Sequence, residues 1–302
     1  MIEARGVMKK YFVLQPAVFK LDGGAMFGII PKPLWSKAIA ADELNRIQLS
    51  LRVMLIQTKH KNILIDTGIG DYHGDKFENR FGVEGDKNPL IELLRSQLNL
   101  APSDITDLII SHLHFDHVGG LGSDDTSETP AHRPLFPEAT LHVHRQHYEY
   151  ALNPTDRDAG SFHTQYFKGL LEAAEARGKV HWLEGAEGLI LDDNNDKIFF
   201  KCSFGHTPNL VHAWDEKFIY MADLVPTSHH IPVPWVMGYD IAPGQTTKDK
   251  RAFYEFIAGE KKTMIFEHDM AFWGAQIGLK NGEPEVLQKF KATENKILEI
   301  FN

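Results

Sequence analysis

The sequence predicts an α/β fold of two mixed β-sheets with helices on their outer faces. Three observations predict it. Apolar strand-like segments open the chain, helical segments interrupt them, and both halves repeat the mixture. No repeat, low-complexity tract or Ser/Gly-rich linker divides the 302 residues, so residues 1–302 are expected to form a single domain. Apolar content of 43% and charged content of 24% suit a soluble globular enzyme with a sizeable core.

The elements follow in order. "KYFVLQPAVFKL", "IQLSLRVMLIQT" and "NILIDTG" read as strands, the last two joined as a hairpin through the polar "KHKN". Between the first two, "DGGAMFGIIPKPLWSK" is rich in Gly, Pro and aromatic residues and reads as a long loop over 22–37. A helix is expected over "NPLIELLRSQL", then a short buried strand, "DLIIS". "GLGSDDTSETPAHR" is a polar surface loop, "ATLHVHRQ" a strand running into a helix, and "SFHTQYFKGLLEAAEAR" a helix. Short strands follow at "KVHWL", "GLILDD", "KIFFKCSF" and "KFIYMAD"; the helix "TTKDKRAFYEFIAG" precedes the strand "TMIFEHD". "EPEVLQKFKATENKILEIF" reads as a closing amphipathic helix.

Charge and composition exclude several functions. The net charge of −9 disfavours a nucleic-acid backbone as partner. One cysteine, Cys202, allows neither an intrachain disulfide nor a cysteine-rich zinc site. The N-terminal segment lacks a signal-peptide pattern, and no run approaches about 18 uncharged apolar residues, so a cytoplasmic, membrane-free protein is expected.

The chemistry gathers in "SHLHFDHVGG". His112 and His114 are two apart at a strand end and point to one side, while Asp116 and His117 follow once the strand has turned. Imidazole nitrogen with carboxylate oxygen suits zinc, and also manganese, iron or cobalt. One ion rarely takes four ligands from so short a segment, so two adjacent ions are expected. Further donors stand just after apolar strands: His206 in "KCSFGHTP", Asp223 in "KFIYMADLVP" and His268 in "TMIFEHD".

The pattern "HLHFDH", "GHTP", "MAD" and "EHD", with "ILIDTG" upstream, resembles the metallo-β-lactamase-fold hydrolases over roughly residues 51–269. The resemblance implies a four-layer αββα sandwich with a dinuclear site at one edge of the sheets. It implies that His112, His114 and His206 hold one ion, that Asp116, His117 and His268 hold the other, and that Asp223 bridges them. Asp66 would orient a ligand histidine. The expected cofactors are two divalent ions, zinc first. A metal-bridging hydroxide would attack an ester, lactone or phosphoester of a small molecule, and Asp116 would relay a proton to the leaving group.

Acyl-homoserine lactonases and organophosphate triester hydrolases of this fold share the ligand pattern. Many of those lactonases place a tyrosine three residues after the bridging aspartate; this chain has Pro226 there, which leaves Tyr239 or His229 to make the lactone contact. A thioesterase of the glyoxalase II type and a non-catalytic metal-binding protein are the alternatives. Substrate-pocket residues are expected from two segments: Met26, Phe27 and Trp35 in the 22–37 loop, whose other reading is a packing or homodimer contact, and His229 and Trp235 in the Pro-rich "PTSHHIPVPWVMGYD". His142, His144 and His147 are expected to be half-exposed and outside the metal site.

Overall fold

The computed structural model describes residues 9–70, 74–84, 89–123 and 133–301. Its first sheet begins with β1 (Lys10–Asp22), β2 (Arg46–Gln57) and β3 (Asn62–Ile65), paired antiparallel in turn. The β1–β2 register breaks between Leu14 and Ala17, around Pro16, because proline has no N–H for the ladder. β4 (Asp107–Ile109), β7 (Thr140–His144) and β8 (Val180–Leu183) then add in parallel. Parallel neighbours need long crossovers. These carry α3 (Asp75–Phe81) and α4 (Pro89–Leu98), then α5 (Phe115–Val118) and a ribbon of β5 (Gly122–Ser123) with β6 (Arg133–Pro134), then α6 (Arg145–Leu152) and α7 (Thr164–Ala176).

The second sheet is built from β9 (Glu187–Asp193), β10 (Asp196–Ser203), β11 (Leu210–Trp214), β12 (Phe218–Tyr220), β13 (Thr263–Ile265), β14 (Phe272–Lys280) and β15 (Glu283–Lys291). Only β12 and β13 pair in parallel, across the helix α8 (Pro243–Glu260). The last strand, β16 (Ile297–Ile300), returns to the first sheet beside β1.

Alternation along β2 shows how the layers form. Met54 and Ile56 face the second sheet, packing with Ile65, Phe200, Val211 and Tyr220. Val53 and Leu55 face the other way, onto Leu94 of α4 and Phe167 and Leu171 of α7. On the far side, Phe253, Tyr254 and Ile257 of α8 cover Ile219 and Met264. The order helix–sheet–sheet–helix is the expected sandwich. Among the described residues, no helix is long and apolar enough to cross a membrane.

Two segments differ from expectation. Residues 22–37 are not an open loop: they form α1 (Gly23–Phe27) and α2 (Lys32–Trp35), with the Asp22 side chain capping α1 through the Ala25 N–H at 2.8 Å. The C-terminal amphipathic helix is absent; its residues form β15 and β16. Asn281 and Gly282 have φ of 54° and 78° and close a two-residue hairpin between Lys280 and Glu283. An Asn-Gly pair favours that turn, and it commits the following residues to a strand. Most of the expected polar loop, residues 124–132, and the N-terminal residues 1–8 lie outside the described residues.

Candidate metal centre

Four strand ends deliver the donors. Beyond β4 the chain passes through Ser111 to His112 and His114, and α5 carries Asp116 and His117. His206 follows β10, Asp223 follows β12, and His268 follows β13. The backbone is held hard where it turns. Ala222, next to Asp223, has φ of 38°, and Asp66 after β3 has φ of 59°, conformations that persist only where the surroundings impose them. A Cβ on Gly119 would lie 2.0 Å from the Ile69 carbonyl oxygen, so "HVGG" needs glycine to lie against the "DTG" turn.

The donors converge into two groups, His112, His114, His206 and Asp223, and then Asp116, His117 and His268, each with its ligand atoms within 4.8 Å of one another. In the first group, His114 Nδ1 is 3.0 Å from His112 Nε2 and 3.2 Å from His206 Nε2. In the second, Asp116 Oδ2 is 3.6 Å from His268 Nε2 and 3.8 Å from His117 Nε2. Asp223 joins the groups: Oδ2 lies 3.1 Å from His206 Nε2, and Oδ1 lies 3.1 Å from His268 Nε2.

These spacings fit a divalent ion. Nitrogen and oxygen ligands about 2.0–2.2 Å from zinc stand roughly 3.3–3.6 Å apart along a tetrahedral edge. Among the described residues, His117 Nε2 and Asp223 Oδ1 belong to the buried polar atoms without a hydrogen-bond partner. Buried polar atoms rarely go unsatisfied, and an ion would satisfy both.

The outer nitrogens of His112, His117, His206 and His268 are tied down, as metal ligands require, whereas the outer Nε2 of His114 is buried without a hydrogen-bond partner among the described residues. His206 Nδ1 meets Asp240 Oδ1 at 2.9 Å, and Thr246 Oγ1 in turn donates to Asp240 Oδ2 at 2.8 Å. His268 Nδ1 donates to the Ser50 carbonyl at 2.8 Å, and His112 Nδ1 faces Ser111 Oγ at 3.1 Å. His117 Nδ1 lies between two carboxylates, Glu267 at 2.9 Å and Asp66 at 3.1 Å. Asp66 also accepts the Ser111 N–H at 2.7 Å and hydroxyl at 2.6 Å.

Electrostatics follow from this packing. Burial and the neighbouring imidazoles hold His112 and His114 well below the usual histidine value, so both are neutral. Burial opposes charge on His206 and His268 too, but Asp223 outweighs it and lifts each to about 9. His117 is lifted above the usual range by Glu267, Asp116 and Asp223 against the same burial. Burial raises Glu267 to about 7, even beside His117. Metal binding at these imidazoles displaces protons.

The seven donors and Asp66 stand together. The pocket residues do not. Met26, Phe27 and Trp35 are 1%, 0% and 1% exposed and pack in one cluster with Leu49, Leu51 and Phe115. Phe27 stacks on Trp35 and on His230, whose Nε2 donates to the Met26 carbonyl at 2.9 Å. His229 and Trp235 line a groove to which none of the seven donors contributes.

Sequence reading missed Asp240, Glu267, Ser111 and His147. Glu267 sits beside His268 in the quoted "EHD", but Asp240 has no local signal. His142, His144 and His147 are buried, not half-exposed. His147 is a brace: Nε2 accepts the Leu113 N–H at 2.8 Å and Nδ1 donates to the Pro208 carbonyl at 2.8 Å, joining two donor loops.

Two outcomes test this geometry. Asp240→Ala frees the outer nitrogen of His206 and is expected to weaken metal affinity by about 10–100-fold, read by chelator competition. His144, bonded to the Gly185 carbonyl at 2.9 Å and in neither donor group, is expected to become Ala with metal content unchanged by elemental analysis.

The family model of the metallo-beta-lactamase superfamily matches residues 51–268. The N-acyl homoserine lactonase of Bacillus thuringiensis is 30% identical over 108 residues, 33% of this chain and 38% of that protein, so the match spans well under half of that relative's length. A probable metal-dependent hydrolase from Staphylococcus aureus shares the fold with a TM-score of 0.80 at 26% identity, covering 96% of this chain and 99% of that one. AidC, a dizinc quorum-quenching lactonase, shares it with a TM-score of 0.71 at 20% identity, covering 97% of each chain. Matched from within β2 through His268, this chain belongs to the metallo-beta-lactamase superfamily.

Proposed function

We propose that the chain opens a small lactone bearing an apolar substituent, at a centre of two divalent ions, zinc first. The observation that carries two ions is Asp223, which turns one oxygen to a histidine of each group at 3.1 Å. His112, His114 and His206 would hold one ion, Asp116, His117 and His268 would hold the other, and Asp223 would serve both. Ions held there supply Lewis acidity and lower the pKa of a bound water to about 7. Asp116 takes the proton of the attacking water and returns it to the alkoxide as the acyl C–O bond breaks, which leaves a hydroxy acid.

The lactone reading rests on similarity to the homoserine lactonase. An aromatic cluster beside Asp116 supports the apolar substituent. Phe77 and Phe81 of α3 lie 5.1 and 5.5 Å from the Phe115 ring, and His163 stacks on Phe115 at 5.2 Å. Tyr239 is our candidate for the lactone contact. Burial and the charges of Asp22, Asp116 and Asp223 push its phenol up to about 12, so it stays a donor.

The test is a panel of lactones, aryl esters and phosphotriesters on metal-defined protein, with acid release followed at constant pH. Lactone opening is expected to dominate; turnover of the others with no ring opening would overturn the reading. Phe81→Ala is expected to raise KM about tenfold for a long-chain lactone and little for an unsubstituted one.

A further inference from the structure

A second concave site stands apart from the metal donors. It is a groove of about 480 Å³ between residues 228–235 and the outer face of β15, a volume in the range of small-molecule sites. Pro232, Pro234, Trp235 and Val286 give it apolar sides, and Ser228 and Lys289 stand together in its lining.

Its wall is fixed before any ligand arrives. The buried Lys250 ammonium on α8 donates to the carbonyls of His230, of Pro232 at 2.8 Å and of Trp235 at 3.0 Å. One turn on, the Tyr254 hydroxyl donates to the Ile231 carbonyl at 2.6 Å. Pro232 and Pro234 stiffen the same stretch. A preformed wall spares a ligand the cost of ordering it.

The charges in the groove are unevenly committed. Glu283 is paired with Arg251 at 2.9 Å. Asp269, behind Ser228, accepts the N–H groups of Ser228, Ala271 and Phe272 at 2.7–2.8 Å. Lys289 reaches only the neutral Ser228 hydroxyl at 3.3 Å and the face of Phe272 at 4.9 Å, and forms no ion pair among the described residues. The groove therefore offers a fixed apolar trough beside one uncommitted cation.

We propose that this groove is a second ligand site for an amphiphilic carboxylate, its alkyl chain along Pro232, Pro234 and Trp235 and its head on Lys289 and Ser228. The proposal goes beyond the lactone reading and does not depend on it. The test titrates the metal-loaded full chain with octanoate, decanoate and decanol, followed by tryptophan fluorescence and calorimetry, with Trp235→Phe as the control for the optical signal. Decanoate is expected to saturate and to bind about 15-fold tighter than octanoate, two buried methylenes at about 0.8 kcal/mol each. Lys289→Glu is expected to weaken decanoate about tenfold and leave decanol unchanged. Absence of saturable binding would overturn the proposal, as would equal affinity for decanol and decanoate in both chains. Loss of binding on chelating the metals, with the circular dichroism unchanged, would place the carboxylate on the metal donors instead and also overturn it. So would self-association through the groove, seen in sedimentation and abolished by Val286→Lys.

Discussion

Asp223→Ala is expected to remove at least one metal ion and nearly all turnover. Asp223 is a carboxylate that turns an oxygen to each donor group, with His206 and His268 each 3.1 Å from its oxygens. Under the two-ion proposal, its loss leaves Asp116 as the one carboxylate of the seven donors to offset the ions' charge, because neutral imidazoles carry none. Removing one partner of a buried charge pair costs about 3–5 kcal/mol, which is about a few hundredfold to a few thousandfold in affinity. Elemental analysis and lactone turnover read the two effects separately. A variant with two ions per chain and full rate would show that Asp223 does not join the groups.

The same substitution has a pH signature in the metal-free chain. His206 and His268 are raised to about 9 in the fold by Asp223, from a usual value of 6.5. A raised histidine contributes stability that is fully present below the unfolded value and is lost as pH rises through the folded one. The metal-free native chain is therefore expected to lose this part of its stability between about 6.5 and 9, and Asp223→Ala to lack that loss. Lys250, lowered to about 7 by burial, slopes the other way over part of this range. The difference between the two chains, measured by urea unfolding at each pH, cancels it.

What could be read from the sequence, and what could not, divides by locality. "HLHFDH" is contiguous, and His206, Asp223 and His268 each follow an apolar strand, so local pattern exposes all seven donors. Strand β2 is legible for the same reason: its run has length and alternation. The parts that fix the donors are non-local. The Ser50 carbonyl that holds His268 has no side-chain signature, and Asp240 meets His206 from 34 residues downstream, beyond β11 and β12. Residues 22–37 mislead because Gly and Pro mark turns whether or not the residues between them are buried. Only tertiary packing shows that Phe27 and Trp35 fill a cluster with Leu49, Leu51 and Phe115. The C-terminal misreading has a local remedy: the Asn281–Gly282 turn outweighs a helical-looking spacing downstream.

Asp116→Asn separates holding a metal from moving a proton. Asp116 is buried on α5, its Oδ2 3.6 Å from His268 Nε2 and 3.8 Å from His117 Nε2. An asparagine keeps an oxygen of nearly the same size and position, so metal content is expected to stay close to that of the native chain. The amide does not carry a proton from water to the departing alkoxide. General acid–base catalysis is worth about 10²–10⁴ in rate, so turnover of alkyl lactones is expected to fall by that factor. Leaving-group chemistry sharpens the test. An aryl oxide departs without protonation, so aryl esters are expected to lose far less, and the dependence of rate on leaving-group pKa is expected to steepen. Uniform loss across leaving groups, with metal lost in parallel, would make Asp116 a ligand only. Undiminished opening of alkyl lactones would remove it from the reaction. The contrast between Asp223 and Asp116 is thus chemical: both carboxylates face the centre, but only the second is asked to change its protonation within a turnover.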